Sequence, residues 1–282
     1  MPKNDFYERI PTGVADFDSI INGGLPSGSV VLLIGDVGGG QHEFVYTSAC
    51  KLSMVLDYPD RKRHILGDMC NEARVPDKIC YVSISRTEED ILSEIKNSFH
   101  HDYHKALVNH LKFKDLSMVY FKNSVVPNSW AGVESIFQKG VVPKGDILTE
   151  LVDFLDHNAE SSMVVIDSLT HLAETGAVPM KDLVATLRGL QRVSKRWGGV
   201  VYLLLTQGIL DKKEEQMIID SVDGVIVFQW SKNKFHSLRS RYMYVEKFMS
   251  ILPHLDEKRI ARFSTIVNAT QGLVVVNTEK IA

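Results

Sequence analysis

Ser29-Val30-Val31-Leu32-Leu33-Ile34-Gly35-Asp36-Val37-Gly38-Gly39-Gly40-Gln41-His42 joins an unbroken apolar run to a glycine-rich turn. A helical stretch follows from 43 to 56. Apolar residues at every position, not every second one, mark a strand covered on both faces. Strand, glycine turn and helix in that order is the context a phosphate-binding loop requires. The spacing is that of GxxxxGK[ST], yet Gln41 and His42 stand where the lysine and the hydroxyl residue belong.

In a working loop, backbone N–H groups cradle phosphates, the lysine reaches the β/γ-phosphates and the hydroxyl binds Mg²⁺. Gln41 offers only an uncharged amide. Losing a charge-assisted hydrogen bond, about 1.5–3 kcal/mol, weakens triphosphate binding markedly. His42 has no hydroxyl, and imidazole is a poor ligand for Mg²⁺. Asp36 and Glu43 add negative charge around the loop. Two readings of the turn stay open: a plain strand-to-helix connection, or an anion nest retained from a nucleotide site.

Further apolar runs lie at 78–84, 118–121, 163–167, 200–205, 224–228, 242–246 and 273–276. Helical patterns separate them. One follows Thr87, a suitable N-cap, and carries Ile91, Leu92, Ile95 and Phe99 at core-facing spacing. Others span 147–157 and 180–197, the second closed by Gly198-Gly199. The alternation predicts an α/β fold: a mainly parallel twisted sheet flanked by helices, with an antiparallel edge towards the C-terminus.

At 282 residues, one large domain is expected, with an insertion near 122–145. The chain is 44% hydrophobic and 24% charged, which excludes a disordered or collagen-like protein. Its 32 basic and 35 acidic residues argue against a surface devoted to coating nucleic acid. Cys50, Cys70 and Cys80 show no CxxC spacing, and no apolar secretory stretch opens the sequence. A cytoplasmic protein without membrane spans is the expectation.

Arg9-Ile10-Pro11-Thr12-Gly13-Val14-Ala15-Asp16-Phe17-Asp18 and Gly23-Gly24-Leu25-Pro26-Ser27-Gly28-Ser29 resemble the opening of the KaiC-like branch of the RecA superfamily. There a TGxxxLDxxxxGGLPxGSxxLxxG stretch runs directly into the phosphate loop. Val164-Val165-Ile166-Asp167-Ser168-Leu169-Thr170 resembles the Walker B strand, and Ser221-Val222-Asp223-Gly224-Val225-Ile226-Val227 a late core strand. The stretch 239–247 resembles the strand that brings basic residues towards a neighbouring subunit. The resemblance implies a RecA-like core, an ATP site at the strand C-termini and often ring or filament assembly.

The chain departs from that pattern where chemistry is done. Ser85 and Arg86 stand where the family usually carries a pair of glutamates, one of which activates water. Serine is a poor base and arginine is permanently protonated; losing a positioned base removes about 10²–10⁴ in rate. The resemblance therefore implies a remnant nucleotide site of Gly35, Gly38, Gly39, Gly40, Gln41, His42 and Asp167, without catalytic or metal-ligating residues. ATP binding is expected to be weak or lost. A non-hydrolysing pseudo-ATPase with a regulatory or scaffolding role follows, its partner a protein or further copies of the chain. The family's link to signal transduction adds that context by analogy alone.

Two alternatives remain. One is an active ATPase that borrows a cation, such as Lys247 of a neighbour, although Phe248-Met249-Ser250-Ile251 replaces the family's Arg-Gly-Thr-like turn. The other is a DNA-binding recombinase paralogue using Lys232, Lys234, Arg239 and Arg241 with Phe235 and Tyr242. Blander readings suit the rest. His100, His101 and His104 read as a polar helix face, and 61–64 as a solvated basic loop. Ser168 and Thr170 near His171 assemble no nucleophilic triad, and Trp130, Trp197 and Trp230 read as core or interface residues.

Overall fold

The computed structural model describes residues 8–122, 124–127, 145–174, 178–231 and 240–280. It opens with β1 (Arg9–Ile10), α1 (Ala15–Ile20) and β2 (Leu25–Pro26), then β3 (Ser29–Gly35) and α2 (Gln41–Asp57). Next come α3 (Lys62–Leu66), β4 (Lys78–Ser83), α4 (Glu88–Ser98), α5 (His101–His110), β5 (Leu111–Asp115) and α6 (Ser117–Phe121). The central stretch holds α7 (Ile147–Asn158), β6 (Ser162–Asp167), α8 (Leu169–Glu174), α9 (Met180–Trp197) and β7 (Val200–Thr206). The last part is α10 (Lys212–Asp220), β8 (Gly224–Trp230), β9 (Arg241–Phe248), α11 (Leu252–Glu257), β10 (Ile260–Asn268) and β11 (Gly272–Lys280).

Nine strands form one sheet in the order β11-β10-β9-β8-β3-β7-β6-β4-β5. The β8-β3-β7-β6-β4-β5 segment is parallel, and β9, β10 and β11 continue it antiparallel. This is the expected RecA-like arrangement. Every residue of β3 is buried, because alternate side chains enter two separate cores. Val31 and Leu33 pack under α2 and α5, while Val30, Leu32 and Ile34 pack under α7 and α9. Each such side chain contributes about 1.5–3 kcal/mol when taken from water. The helix α2 lacks a clean apolar stripe because it is enclosed on most sides: Ser48, Lys51 and Ser53 are buried with its apolar residues.

Two stretches differ from the sequence reading. The run at 118–121 lies in α6, not in a strand: Asp115 accepts from Ser117 N at 2.8 Å, and Tyr120 N donates back to Leu116 O at 2.9 Å. A short apolar run does not distinguish a buried strand from a helical turn. The strand is instead β5, whose Lys112 and Lys114 break its apolarity at the sheet edge while Phe113 stacks on Tyr81. The second is β10, which alternates polar and apolar residues as an antiparallel strand does and so offers no continuous run. Most of the proposed insertion at 122–145, together with Trp130, lies outside the described residues.

The opening turn is organised by one buried carboxylate. Asp18 accepts hydrogen bonds from Thr12 N (2.9 Å), Thr12 Oγ1 (2.8 Å) and Gly13 N (3.0 Å). Burial pushes its pKa up, to about 7, against the opposing pull of those donors. Farther along, Asp223 accepts from Val30 N (2.8 Å), Gln191 Nε2 (3.0 Å) and Lys195 Nζ (2.7 Å), fixing the entry to β3 against α9. Asp18→Ala leaves the amides of Thr12 and Gly13 without acceptors and is expected to cost about 3 kcal/mol of unfolding free energy in a denaturant titration.

Candidate functional site

The glycine turn leaves the C-terminal end of β3 at the centre of the sheet, where ligands bind in open α/β folds. Gly38 (φ 71°) and Gly40 (φ 126°) take backbone conformations that L side chains rarely adopt, which lets the loop curl back to start α2. Gly39 N donates to Asp36 O at 2.8 Å, and the Asp36 carboxylate accepts from Trp230 N at 3.0 Å. The Trp230 indole N–H donates to Val37 O at 3.1 Å, so β8 holds the loop from outside. The first N–H groups of α2 have no intrahelical acceptor and face the same end of the sheet.

Gln41 does not extend as a phosphate-binding lysine would. Its side chain folds beneath the loop, where Nε2 donates to Asp36 O at 3.3 Å, and it is only 5% exposed. His42 points towards β6. Its Nε2 lies 3.2 Å from Asp167 Oδ1, and the Tyr81 hydroxyl donates to Asp167 Oδ2 at 2.7 Å. Both oxygens of Asp167 are thus engaged by side chains of the chain itself. Parallel pairing of β4 with β6, Ser83 opposite Asp167, brings Tyr81 within reach.

Electrostatics agree with a charged pair. Burial opposes charge at Asp167, but the His42 hydrogen bond and charge, Tyr81 and Arg86 outweigh it and lower the carboxyl pKa. At His42 burial again opposes charge, and Asp167, with Glu43 and Glu94 adding, raises the imidazole pKa.

Ser85 and Arg86 bring no carboxylate to the site. Arg86 Nη2 binds Glu94 Oε2 at 2.6 Å and Nη1 donates to the Tyr46 hydroxyl at 3.2 Å, while Tyr46 also donates to Glu94. Glu43, expected to add negative charge at the loop, is instead paired with Arg241 Nη1 at 3.0 Å, and that guanidinium stacks on Trp230. Gly35, Gly38, Gly39, Gly40, Gln41, His42 and Asp167 therefore all fall in one locality, with Tyr81, Tyr46, Glu94 and Arg86 forming its far wall. Tyr81 was concealed by its place in an apolar run; Glu94 and Tyr46 were concealed because pairing across two helices leaves no spacing signature.

Ser168, Thr170 and His171 line the same cavity as Gln41, His42 and Asp167, while the other candidates separate from the site. Lys247 donates to Ile219 O (2.8 Å), Asp220 O (3.3 Å) and Val222 O (2.7 Å), satisfying carbonyls at the end of α10. Lys232, Lys234, Phe235 and Arg239 lie outside the described residues. His100 is the N-cap of α5, not a member of its helical face. The basic run is held down: Lys62 Nζ donates to Asn71 O at 2.7 Å and Arg63 pairs with Asp68. Ser168 Oγ lies 2.9 Å from His171 Nδ1, and Thr170 Oγ1 accepts from Thr206 N. Among the described residues, no group of three or more His, Cys, Asp and Glu is placed to hold a metal, and no helix is long and apolar enough to cross a membrane.

No protein-family model and no curated protein matches the sequence. Solved structures do match the fold. A KaiC-like protein from the hyperthermophilic archaeon Pyrococcus horikoshii superposes with a TM-score of 0.60 at 18% identity, covering 96% of this chain and 100% of that one. The flagellar accessory protein FlaH from Methanocaldococcus jannaschii gives 0.59 at 16% identity, covering 95% and 96%. The fold is RecA-like, of the kind these two proteins share with this chain.

The His42–Asp167 pair carries a pH signature. A raised imidazole pKa stabilises the fold fully below the ordinary value of 6.5 and ceases to do so as pH rises through the raised value. A lowered carboxyl pKa stabilises above 3.8 and ceases to do so as pH falls through the lowered value. The melting-temperature difference between wild type and His42→Ala should therefore be largest between about pH 4 and 6.5 and shrink as pH rises beyond 6.5 through the raised value.

Proposed function

We propose that this chain is a non-hydrolysing RecA-type protein with a regulatory or scaffolding role, its phosphate loop no longer suited to metal-nucleotide chemistry. The observation that carries this is the contact between His42 and Asp167. In a working site the loop hydroxyl and the strand-end aspartate share a hydrated Mg²⁺ between them. Here an imidazole bridges the two elements directly, and Tyr81 occupies the remaining carboxylate oxygen. Mg²⁺ prefers oxygen ligands in near-ideal octahedral geometry, and an imidazolium facing it adds repulsion.

Two further features support the same reading. Gln41 is tucked under the loop, so no cation from the loop reaches a terminal phosphate. Ser85 and Arg86 supply no base for water. A borrowed Lys247 is disfavoured because its ammonium already serves three backbone carbonyls. The fold then acts by contact, with a protein partner or with further copies of itself; one of the two proteins sharing the fold is named as an accessory protein, which suits such a role.

The direct test is phosphate release from Mg·ATP at high protein concentration. The expected result is no turnover above a buffer blank; turnover that disappears in Asp167→Ala would contradict the proposal. The double variant Gln41→Lys/His42→Thr restores the loop cation and the metal-binding hydroxyl. Its affinity for Mg·ATP should rise about tenfold or more, without turnover, because position 86 still carries a guanidinium.

A further inference from the structure

We propose that the groove between α7 and α9 receives a basic amphipathic helix of a protein partner, with apolar anchors in the groove and lysines or arginines against its rim. This rests on the contact role proposed above and gives that role a place and a partner chemistry. Two cavities run end to end along these helices and share Val152 and Thr186. One, of about 270 Å³, is lined by Leu151, Leu155, Leu187, Leu190, Val193 and Trp197 among others. The other, of about 390 Å³, continues to Asp146, Thr149 and Pro179 at the helix starts. No residue of the glycine turn lines either one. From Asp146 to Asp156 the α7 wall runs for roughly 15 Å at a rise of about 1.5 Å per residue.

A glycine gives an independent indication. Gly189 lies in the interior of α9, exposed, on the groove wall. A Cβ added there would meet nothing within 4 Å. Glycine weakens a helix interior relative to alanine, and the packing of the described residues does not require it at this position. Its missing side chain lets another backbone come close to α9. From the facing wall, Val152 is 47% exposed to the same space.

The rim sets the sign of the occupant. Asp146, Asp153, Asp156 and Asp182 line the two cavities, and no described lysine, arginine or histidine does. All four are exposed. Cations on the neighbouring faces are engaged elsewhere: Lys114 pairs with Glu150, Arg188 with Asp220 and Lys195 with Asp223. Such a rim repels the phosphates of nucleic acids and anionic membranes and attracts lysine and arginine. Both walls are helices whose backbone groups are already bonded within them, so a strand finds nothing to pair with. A helix brings its own hydrogen bonds. Anchors at i, i+3, i+4 and i+7 span about 10 Å, within the length of the groove.

The test is fluorescence anisotropy of a labelled helical peptide of about five turns, leucine on one face and lysine on the other, titrated with the intact chain. Saturable binding that weakens with salt is expected. A leucine–glutamate counterpart, and a peptide with leucine and lysine shuffled out of helical phase, should each bind about tenfold more weakly or worse. Gly189→Leu puts a side chain into the groove and favours the helix; it should lose about tenfold in affinity without a lower melting temperature. Asp153→Asn/Asp156→Asn/Asp182→Asn removes exposed charge only and should lose a similar factor. Absence of saturable binding, equal affinity for either control peptide, or wild-type affinity in either folded variant would each overturn the proposal. Self-association that Gly189→Leu abolishes would assign the groove to a second copy and overturn it too. Uptake of the dye anilinonaphthalene sulfonate, lost in Gly189→Leu and unaccompanied by peptide binding, would assign a small apolar ligand instead. Phosphate release from Mg·ATP in the same samples reports separately: cleavage with peptide binding intact would refute the non-hydrolysing role and leave the groove standing.

Discussion

An imidazole placed between a phosphate loop and a buried aspartate shapes the whole site. His42 begins α2 directly after the glycine turn, and Asp167 ends β6 two strands away from β3, so the contact ties the loop to the sheet across the intervening β7. The aspartate is only 5% exposed on its side chain and would be costly to leave charged there without partners. His42 and Tyr81 supply them. Each of the two oxygens that would face a hydrated metal thereby meets a side chain of the protein itself.

Around that contact the remaining groups are also paired locally. Arg86, Glu94 and Tyr46 form a closed set on the α4 side, and Arg241, Glu43 and Trp230 form another at the outer face of the loop. Lys247 caps α10. A loop that cradles phosphate in an active enzyme relies on charges left uncommitted until ligand and metal arrive. Here most of these charges have partners within the chain, which suits a protein that uses the architecture for contact or sensing instead of turnover.

Much of this was legible in the sequence. The continuous run 29–34 followed by glycines marked a central buried strand, and β3 has neighbours on both sides. That positions 41 and 42 carry neither a lysine nor a hydroxyl is read from residue type alone. Their replacement contacts were not legible. Which way Gln41 folds depends on the Asp36 carbonyl beneath it, and the bond from Tyr81 to Asp167 depends on register between strands more than 80 positions apart in sequence. The strands β5 and β10 escaped for a related reason: at or near an edge, alternation with lysine, arginine or serine replaces the continuous apolar signal of the middle of the sheet.

The claim that His42 takes the cation's place can be measured with a paramagnetic stand-in. Mn²⁺ electron paramagnetic resonance on the protein with ADP distinguishes a metal held by the protein from one held by free nucleotide. The account predicts a spectrum indistinguishable from Mn²⁺·ADP alone for the wild-type chain. A distinct protein-bound Mn²⁺ signal that is lost in Asp167→Ala would contradict it.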